Sequence, residues 1–412
     1  MNMLRNFYRK YEKWFQITPP DASYDRGLVL LFIFFLLLGL VAVFSASVLD
    51  PAYLAMKPAQ KLTHHPDMFR FLKSDTKNVI LAFILFCIVL CIPMKTWKKK
   101  LNAPLFVLTL GMLILLALGI GHKINGATRW IPLGIMNFQP AELSKLVLIC
   151  FLASYIARRY EEVRTKKLSL AKPAAVVLLF GVLLLRQPDT GTAAVLAMIM
   201  LAMFIMAGVK KKQILVTVAI LGVVFTATIL MNPYKLARVS NFTNPFSDPY
   251  GKGYQLSNSL IAFGRGGIFG EGLGNSIQKW AYLPEPHTDF IMAVWGEELG
   301  LVGILFMISL LCILIWKALK ISKDALELEN RFGGFFACGI ATLIFCQGFV
   351  NLGAALGLLP TKGLTFPLIS YGGSSLLIMA TAIAVLLRID YENRQQRLQN
   401  KEEQGQQDYA TA

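Results

Sequence analysis

Long runs of apolar residues recur along this 412-residue chain and limit the folds that it can adopt. A helix needs about 20 apolar residues to cross the roughly 30 Å hydrocarbon layer of a membrane. By that criterion we predict about ten spans, at residues 28–48, 78–93, 102–121, 140–157, 173–187, 190–209, 213–232, 289–316, 332–354 and 366–388. The predicted fold class is therefore all-α, a polytopic membrane protein with about ten transmembrane helices.

The composition of the chain agrees with a membrane location and argues against nucleic acid as a partner. Hydrophobic residues make up 55% of the sequence and charged residues 16%, whereas a soluble protein carries about a quarter charged residues. The formal net charge is +17. Its Lys and Arg residues lie in short loops at the ends of apolar runs, where such residues orient helices and contact anionic lipid headgroups.

The distribution of basic residues also predicts a topology. With residues 1–27 in the cytoplasm, basic clusters such as Lys98–Lys100 and Lys210–Lys212 fall on the cytoplasmic side. The single membrane domain is then 28–388, and a large extracytoplasmic loop, 233–288, joins helices seven and eight. The tail, 389–412, also lies in the cytoplasm, and its Gln, Glu and Asn content predicts disorder.

The large loop contains a glycine-dense run, Gly264–Gly274. Glycine allows backbone N–H groups to approach a phosphate closely, which is one interpretation of the run. The other is a hinge or re-entrant loop folded against the protein. The sequence leaves both open.

Ionisable residues lie near the outer ends of several predicted helices. His287 and Asp289 precede an apolar helix directly, where a carboxylate can cap the helix or serve chemistry at the membrane surface. Glu142 and Lys145 stand one helical turn apart in span four, a spacing that favours an ion pair. That pair can fix helix packing or line a hydrated cavity. Glu297 and the serines of the last span also lie toward the outer side, which predicts one outward-facing polar cavity.

Several segments, in this order along the chain, resemble the SEDS family (shape, elongation, division and sporulation). They are Asn125–Trp130, Phe138–Glu142, Gln187–Gly191, Leu283–Phe290, Gly296–Gly300 and Ser370–Ser375. The resemblance covers nearly the whole chain. Within the family, the segment 362–370 resembles the cell-division branch rather than the elongation branch.

The resemblance implies a peptidoglycan glycosyltransferase that joins lipid-linked disaccharide-pentapeptide units (lipid II) at the outer face of the bacterial cytoplasmic membrane, at the division septum. The essential outer-loop carboxylate of the family falls on Asp289, as general base or acceptor-positioning group. The acid and lysine of the fourth span fall on Glu142 and Lys145. We add further substrate-binding candidates on chemical grounds: Arg129, Arg265, His287, Glu297, Ser370 and Ser374.

The departing pyrophosphate requires cations, for which Arg129, Lys145 and Arg265 are candidates. A divalent cation such as Mg²⁺ could serve instead, although the sequence predicts no metal-binding residues. Two other functions remain open, a lipid II flippase and a non-catalytic division scaffold. The polar groups cluster toward the outer side, which favours the enzyme because a flippase needs a path to both faces.

The resemblance also implies protein partners in the membrane. These are a class B penicillin-binding transpeptidase and other membrane proteins of the division complex. The transmembrane helix of the transpeptidase is expected to dock on spans eight and nine, where we predict a lipid-facing surface of Leu310, Ile313, Leu314 and Ile344.

Overall fold

The computed structural model describes residues 24–47, 69–124, 127–134, 136–166, 168–231, 242, 244–251, 253–280, 282–361 and 363–411. Eleven helices of more than ten residues form this part of the chain. They are α1 (Arg26–Ala46), α2 (Arg70–Leu90), α3 (Asn102–Ala117), α4 (Pro140–Arg158), α5 (Ala171–Arg186), α6 (Thr190–Met206), α7 (Lys211–Leu230), α8 (Tyr254–Gly266), α9 (Ile291–Glu327), α10 (Arg331–Ala355) and α11 (Gly373–Thr411). The motif residues Asn125, Gly126 and Lys362, like segment 1–23 of the predicted cytoplasmic N-terminus, lie outside the described residues.

The helices confirm a polytopic helical membrane protein. Seven of the described helices are long and apolar enough to cross a membrane: α1, α3 together with the turns before it, α4, α7, α9, α10 and α11. Helices α2, α5 and α6 coincide with predicted spans, but α5 and α6 are short and α2 begins with several charges. Ten membrane crossings therefore remain a prediction.

Helices α4, α10 and α11 form the centre of the protein, since most of their residues are buried. Helix α10 lies between α4 and α9, and α11 packs along α2. Helices α3 and α7 expose most of their apolar side chains, as expected of surfaces that face lipid. The polar residues of α4, α10 and α11 are thus held inside the bundle.

A small antiparallel sheet precedes α4 and was not predicted. Its strands are β1 (His122–Ile124), β2 (Ala127–Pro132) and β3 (Asn137–Phe138), in the order β1-β2-β3. Trp130 of β2 pairs with His122, and Ile131 pairs with Phe138. The sheet fixes the direction from which the chain enters α4.

The end of the chain differs from the predicted disordered tail, because α11 continues as a helix to Thr411. Helix α9 likewise extends past residue 316 to Glu327, and the two extensions contact each other. The Arg397 guanidinium lies 2.8 Å from the Asp324 carboxylate, and Asn393 donates to the carbonyl of Ile321. Local composition missed this helix because its contacts are made with a distant part of the chain.

The predicted lipid-facing surface on α9 and α10 is partly wrong. Leu314 and Ile344 are buried, Leu310 is half-buried, and only Ile313 of the four is exposed. An apolar sequence does not reveal which side of a helix faces lipid, because that depends on the neighbouring helices.

Helix α9 is broken at Gly300, whose φ of 63° interrupts the helical backbone. The break frees the carbonyl groups of Glu297 and Glu298, which accept hydrogen bonds from the N–H groups of Glu271 and Gly272 at 3.0 and 2.9 Å. A Cβ atom at position 300 would lie 2.5 Å from the Gly270 nitrogen, so only glycine fits. The glycine-dense run is therefore folded against the protein, as one of the two interpretations predicted.

Candidate active site

Asp289 lies in a turn just before α9, and it is partly buried. The N-cap residue of α9 is Phe290, whose side chain makes no capping hydrogen bond. The Asn351 side chain on α10 donates to the Asp289 carbonyl at 2.9 Å and to the Leu364 carbonyl at 2.6 Å. A Cβ atom on Gly363 would lie 3.2 Å from a carboxylate oxygen of Asp289. Asn351 thus holds the Asp289 turn against segment 363–365.

His287 lies two residues before Asp289 in the same turn, and its side chain is buried. Its ring packs on Phe71 of α2 at 4.4 Å and on Tyr371 at 5.5 Å between ring centroids. Its carbonyl accepts from the Tyr371 N–H at 2.9 Å. Burial lowers the pKa of His287 below its usual value, against a smaller opposing effect of Glu285. The imidazole is therefore neutral at neutral pH.

The two predicted serines, Ser370 and Ser374, hold backbone segments close to Tyr371. Ser370 accepts a hydrogen bond from the Phe366 N–H at 2.8 Å and closes a turn. Ser374, at the start of α11, accepts from the Gln139 N–H at 2.9 Å and contacts the Asn137 carbonyl at 3.2 Å. Ser374 thus joins the beginning of α11 to the beginning of α4.

A polar group on α10 extends this connection. The Gln347 amide lies 3.3 Å from both the Thr365 and the Ser375 hydroxyls, which are 2.8 Å apart. Gln347 stands one helical turn from Asn351, which binds the Asp289 turn. Polar contacts therefore run from Asp289 across α10 and α11 to the entry of α4.

The predicted ion pair of span four is confirmed. The Lys145 ammonium lies 2.7 Å from the Glu142 carboxylate, and the Lys145 side chain is 0% exposed. Glu142 stands in the first turn of α4, where the helix dipole favours a negative charge. The pair is thus a fixed, nearly neutral unit at the N-terminal end of a central helix.

Arg129 on β2 binds the turn between α5 and α6. Its guanidinium donates to the carbonyls of Gln187 and Pro188 at 2.8 and 2.9 Å. Carbonyl groups orient the guanidinium without neutralising it, so Arg129 keeps its positive charge. Among the three predicted cations, the described contacts pair Lys145 and Arg265 with carboxylates but bind Arg129 to neutral groups.

Arg265 near the end of α8 lies beside Glu297 of α9. The two charged groups approach to 3.4 Å, and the Glu297 carboxylate also accepts from the N–H groups of Ile277 and Gln278 at 3.1 Å each. Glu297 is fully buried. These contacts stabilise the loop and lend no support to the predicted substrate binding by Arg265 and Glu297.

Sequence reasoning missed two further buried groups. Lys279 lies 2.8 Å from the Glu298 carboxylate, which also accepts from the Ser45 hydroxyl on α1 at 2.6 Å. A lysine in a loop is usually solvated, so the local sequence does not predict that Lys279 is buried beside Glu298 and Ser45. The second group is Asp75, which falls in a predicted loop but is 4% exposed on α2.

Within the described residues, no group of three or more His, Cys, Asp or Glu side chains is placed to hold a metal ion. The predicted site residues thus comprise a partly buried carboxylate at Asp289, a buried ion pair on α4 and an oriented guanidinium at Arg129.

Comparison with known protein families decides the classification. The family model described as "cell cycle protein", which covers FtsW, RodA and SpoVE, matches residues 26–395. The chain belongs to this family. The predicted resemblance is therefore confirmed over nearly the whole chain.

Curated relatives and solved structures agree with this assignment. The chain is 52% identical over 394 residues to a probable peptidoglycan glycosyltransferase FtsW of Haemophilus influenzae, covering 96% of this chain and 97% of the relative. A relative of the same name from Escherichia coli is 48% identical, covering 93% and 89%.

Among solved structures, a chain from a peptidoglycan synthase complex that coordinates polymerization and crosslinking superimposes with a TM-score of 0.71, 30% identity and coverage of 89% and 98%. The rod shape determining protein RodA of Thermus thermophilus gives a TM-score of 0.62, with 28% identity and coverage of 89% and 97%.

Proposed function

We propose that this protein is a peptidoglycan glycosyltransferase that polymerises lipid II into glycan strands at the division septum. The observation that carries the proposal is the identity of 48–52%, over nearly the whole chain, with relatives named as probable peptidoglycan glycosyltransferases. The fold and the polar contacts around Asp289 support a reaction at the level of the lipid headgroups.

In the proposed mechanism, Asp289 acts on the acceptor. A sugar hydroxyl of one chain attacks the anomeric carbon of the other sugar, and the bond to undecaprenyl pyrophosphate breaks. Asp289 accepts or orients the proton of the attacking hydroxyl, for which a fixed carboxylate suffices. Asn351 supports this role because it holds the Asp289 backbone to segment 363–365.

Arg129 is the best placed protein cation for the departing pyrophosphate. Its guanidinium is oriented by two carbonyls, and no carboxylate is among these partners. Guanidinium groups bind phosphate oxygens in pairs, so this orientation suits the leaving group. A divalent cation such as Mg²⁺ would supply the same charge stabilisation, but the described residues include no group of acidic or histidine side chains placed to hold one. We assign Glu142 and Lys145 to the lining of the substrate site.

The decisive experiment replaces Asp289 by Asn, which keeps the size of the side chain but does not accept a proton at neutral pH. Purified protein with its transpeptidase partner is given labelled lipid II, and polymer is measured. We expect the rate to fall by about 10²–10⁴-fold with normal amounts of folded protein.

Asp25→Asn is the control at a helix cap: Asp25 accepts from the Leu28 N–H, which Asn can also do, and its contact with Lys317 at 2.7 Å remains as a hydrogen bond to the amide oxygen. Its polymerisation rate should be unchanged. A wild-type rate for Asp289→Asn would remove the catalytic assignment. Translocation of lipid II by a wild-type protein that makes no polymer would identify a flippase, and neither activity would leave a scaffold.

The partner is proposed to be a class B penicillin-binding transpeptidase whose membrane helix binds along α9 and α10. Exposed Leu301, Leu305 and Leu319 recur on one face of α9, and Phe345 and Phe349 are exposed on the neighbouring α10. Support comes from the similarity to a chain of a synthase complex that joins polymerization to crosslinking. Both termini are proposed to be cytoplasmic.

A charge in this surface tests the docking site. Leu305→Glu should abolish co-purification of the transpeptidase, because an ionised group in a lipid-level interface is costly. Leu179→Glu, at an exposed position on α5, is the control that should leave the complex intact. Retention of the partner by Leu305→Glu would place the interface on another face.

A further inference from the structure

Asp75 is a buried carboxyl group that the mechanism above does not use. It lies near the outer end of α2, three residues before the predicted apolar segment 78–93, and is 4% exposed. Within the described part of the chain, neither a hydrogen bond nor an ion pair is found for its side chain, and burial is the cause that raises its pKa. Burial of a carboxyl group without a partner is costly, so the position calls for a ligand.

The neighbours of Asp75 on α2 show which way this face of the helix lies. Phe71 packs on the His287 ring, and the Ser74 hydroxyl is 2.9 Å from the Tyr371 hydroxyl. The Asn78 amide lies close to Gly373, where an added Cβ would be 3.0 Å from the Asn78 oxygen. Residues 71, 74, 75 and 78 share one helical face.

This face of α2 packs against His287 and Tyr371, next to the Asp289 turn. The Cα–Cβ bond of a helical residue tilts toward the helix N-terminus, which for Asp75 is the direction of Phe71 and the His287 ring. His287 is two residues from Asp289 along the same turn. Asp75 therefore lies on the face of α2 that contacts the Asp289 turn through His287.

We infer that the Asp75 carboxyl group hydrogen-bonds a hydroxyl or acetamido N–H group of the sugar portion of lipid II. The inference rests on the proposed function. A sugar offers neutral hydrogen-bond donors, which a carboxyl group can accept in a buried place. A sugar suits the position better than the diphosphate, because the ionised form of the carboxyl group repels a phosphate.

The ionisation of the group agrees with contact to a neutral ligand. Burial raises the pKa of Asp75 to about 7. Near neutral pH the group is therefore available both as an acceptor and, when protonated, as a donor, which matches a hydroxyl that is itself both.

The test measures KM and kcat for polymerisation of labelled lipid II by purified variants with the transpeptidase partner. Asp75→Leu has a similar size without hydrogen-bonding ability, and Asp75→Ala removes the carboxyl group without adding bulk. We expect KM to rise by about 10- to 100-fold in both, with kcat little changed. Asp75→Asn should largely restore KM because it still accepts and donates.

Thr76→Val is the control on the same helix, because the Thr76 hydroxyl already donates to the Leu72 carbonyl at 2.7 Å. Its KM should equal that of the wild type. An unchanged KM in Asp75→Leu and Asp75→Ala overturns the inference, and so does loss of folded protein in all three Asp75 variants, which would show a structural role.

Undecaprenyl pyrophosphate, which lacks the sugars, separates the sugar from the diphosphate as a competitive inhibitor. Its inhibition constant should be the same in the wild type and in Asp75→Leu. A parallel weakening of this inhibitor would place Asp75 at the diphosphate and overturn the sugar assignment. Failure of the wild-type protein to make polymer would instead refute the proposed function itself.

Discussion

Removal of one partner of the Glu142–Lys145 pair should destabilise the protein far more than removal of both. At 2.7 Å and an effective dielectric constant of about 20, the attraction between the two charges is about 6 kcal/mol. Burial costs both ions much of their hydration, so the net contribution of the pair is much smaller. Lys145→Met leaves Glu142 as an uncompensated buried charge, for which we expect a loss of about 3–5 kcal/mol in the free energy of unfolding.

The neutral double variant, Glu142→Gln with Lys145→Met, isolates the electrostatic part of this loss. We expect it to lose at most about 2 kcal/mol, because no buried charge remains. Reversible unfolding in mixed detergent micelles, followed by tryptophan fluorescence, supplies the free energies for a double-mutant cycle.

An exposed pair of similar spacing is the control for this cycle. Lys323 and Glu327 lie 3.7 Å apart with side chains 76% and 55% exposed, so Lys323→Met should have no measurable effect. Equal stability of Lys145→Met and the double variant would refute the reasoning, because it would mean that the two charges do not compensate each other.

Three other measurements test separate parts of the structure. Gly300→Ala should reduce the amount of folded protein, because the added Cβ would meet the Gly270 backbone and the φ of residue 300 is 63°. Gly111→Ala is the control, since no atom lies within 4 Å of its added Cβ, and it should be neutral or slightly stabilising in thermal denaturation. Burial lowers the pKa of His287, so the folded protein binds fewer protons at this residue than the unfolded chain does. The free energy of unfolding should therefore decrease as pH falls below about 6.5. His287→Phe should reduce that decrease in unfolding curves measured at several pH values. A cysteine introduced at exposed Ser247 should react with a membrane-impermeant maleimide from the periplasmic side; reaction only after permeabilisation would invert the proposed topology.

Features that depend on local sequence were predicted well. The apolar run 332–354 corresponds to helix Arg331–Ala355, and the run 28–48 to helix Arg26–Ala46, because hydropathy alone determines which segment crosses a membrane. The Glu142–Lys145 contact was also predictable, since residues three apart on a helix are neighbours.

Features that depend on distant residues could not be predicted. Lys279 finds Glu298 and, through it, Ser45, which is more than 200 residues away in sequence. Arg129 donates to two backbone carbonyl groups in another turn, and because every residue has such a group, the sequence cannot indicate which ones are bound. Leu314 was assigned to the wrong side of α9 because an apolar residue suits both lipid and core.

The break at Gly300 also divides α9 mechanically. The short segment 291–299 before the break is fastened to the folded loop through the Glu297 and Glu298 carbonyls, and Asp289 stands directly in front of it. A helix is stiff only where its backbone hydrogen bonds are continuous, so the interruption at Gly300 separates this segment from the regular helix that follows. The position of Asp289 is therefore set by the folded loop and by Asn351 of α10, and not by the membrane-crossing part of α9 alone.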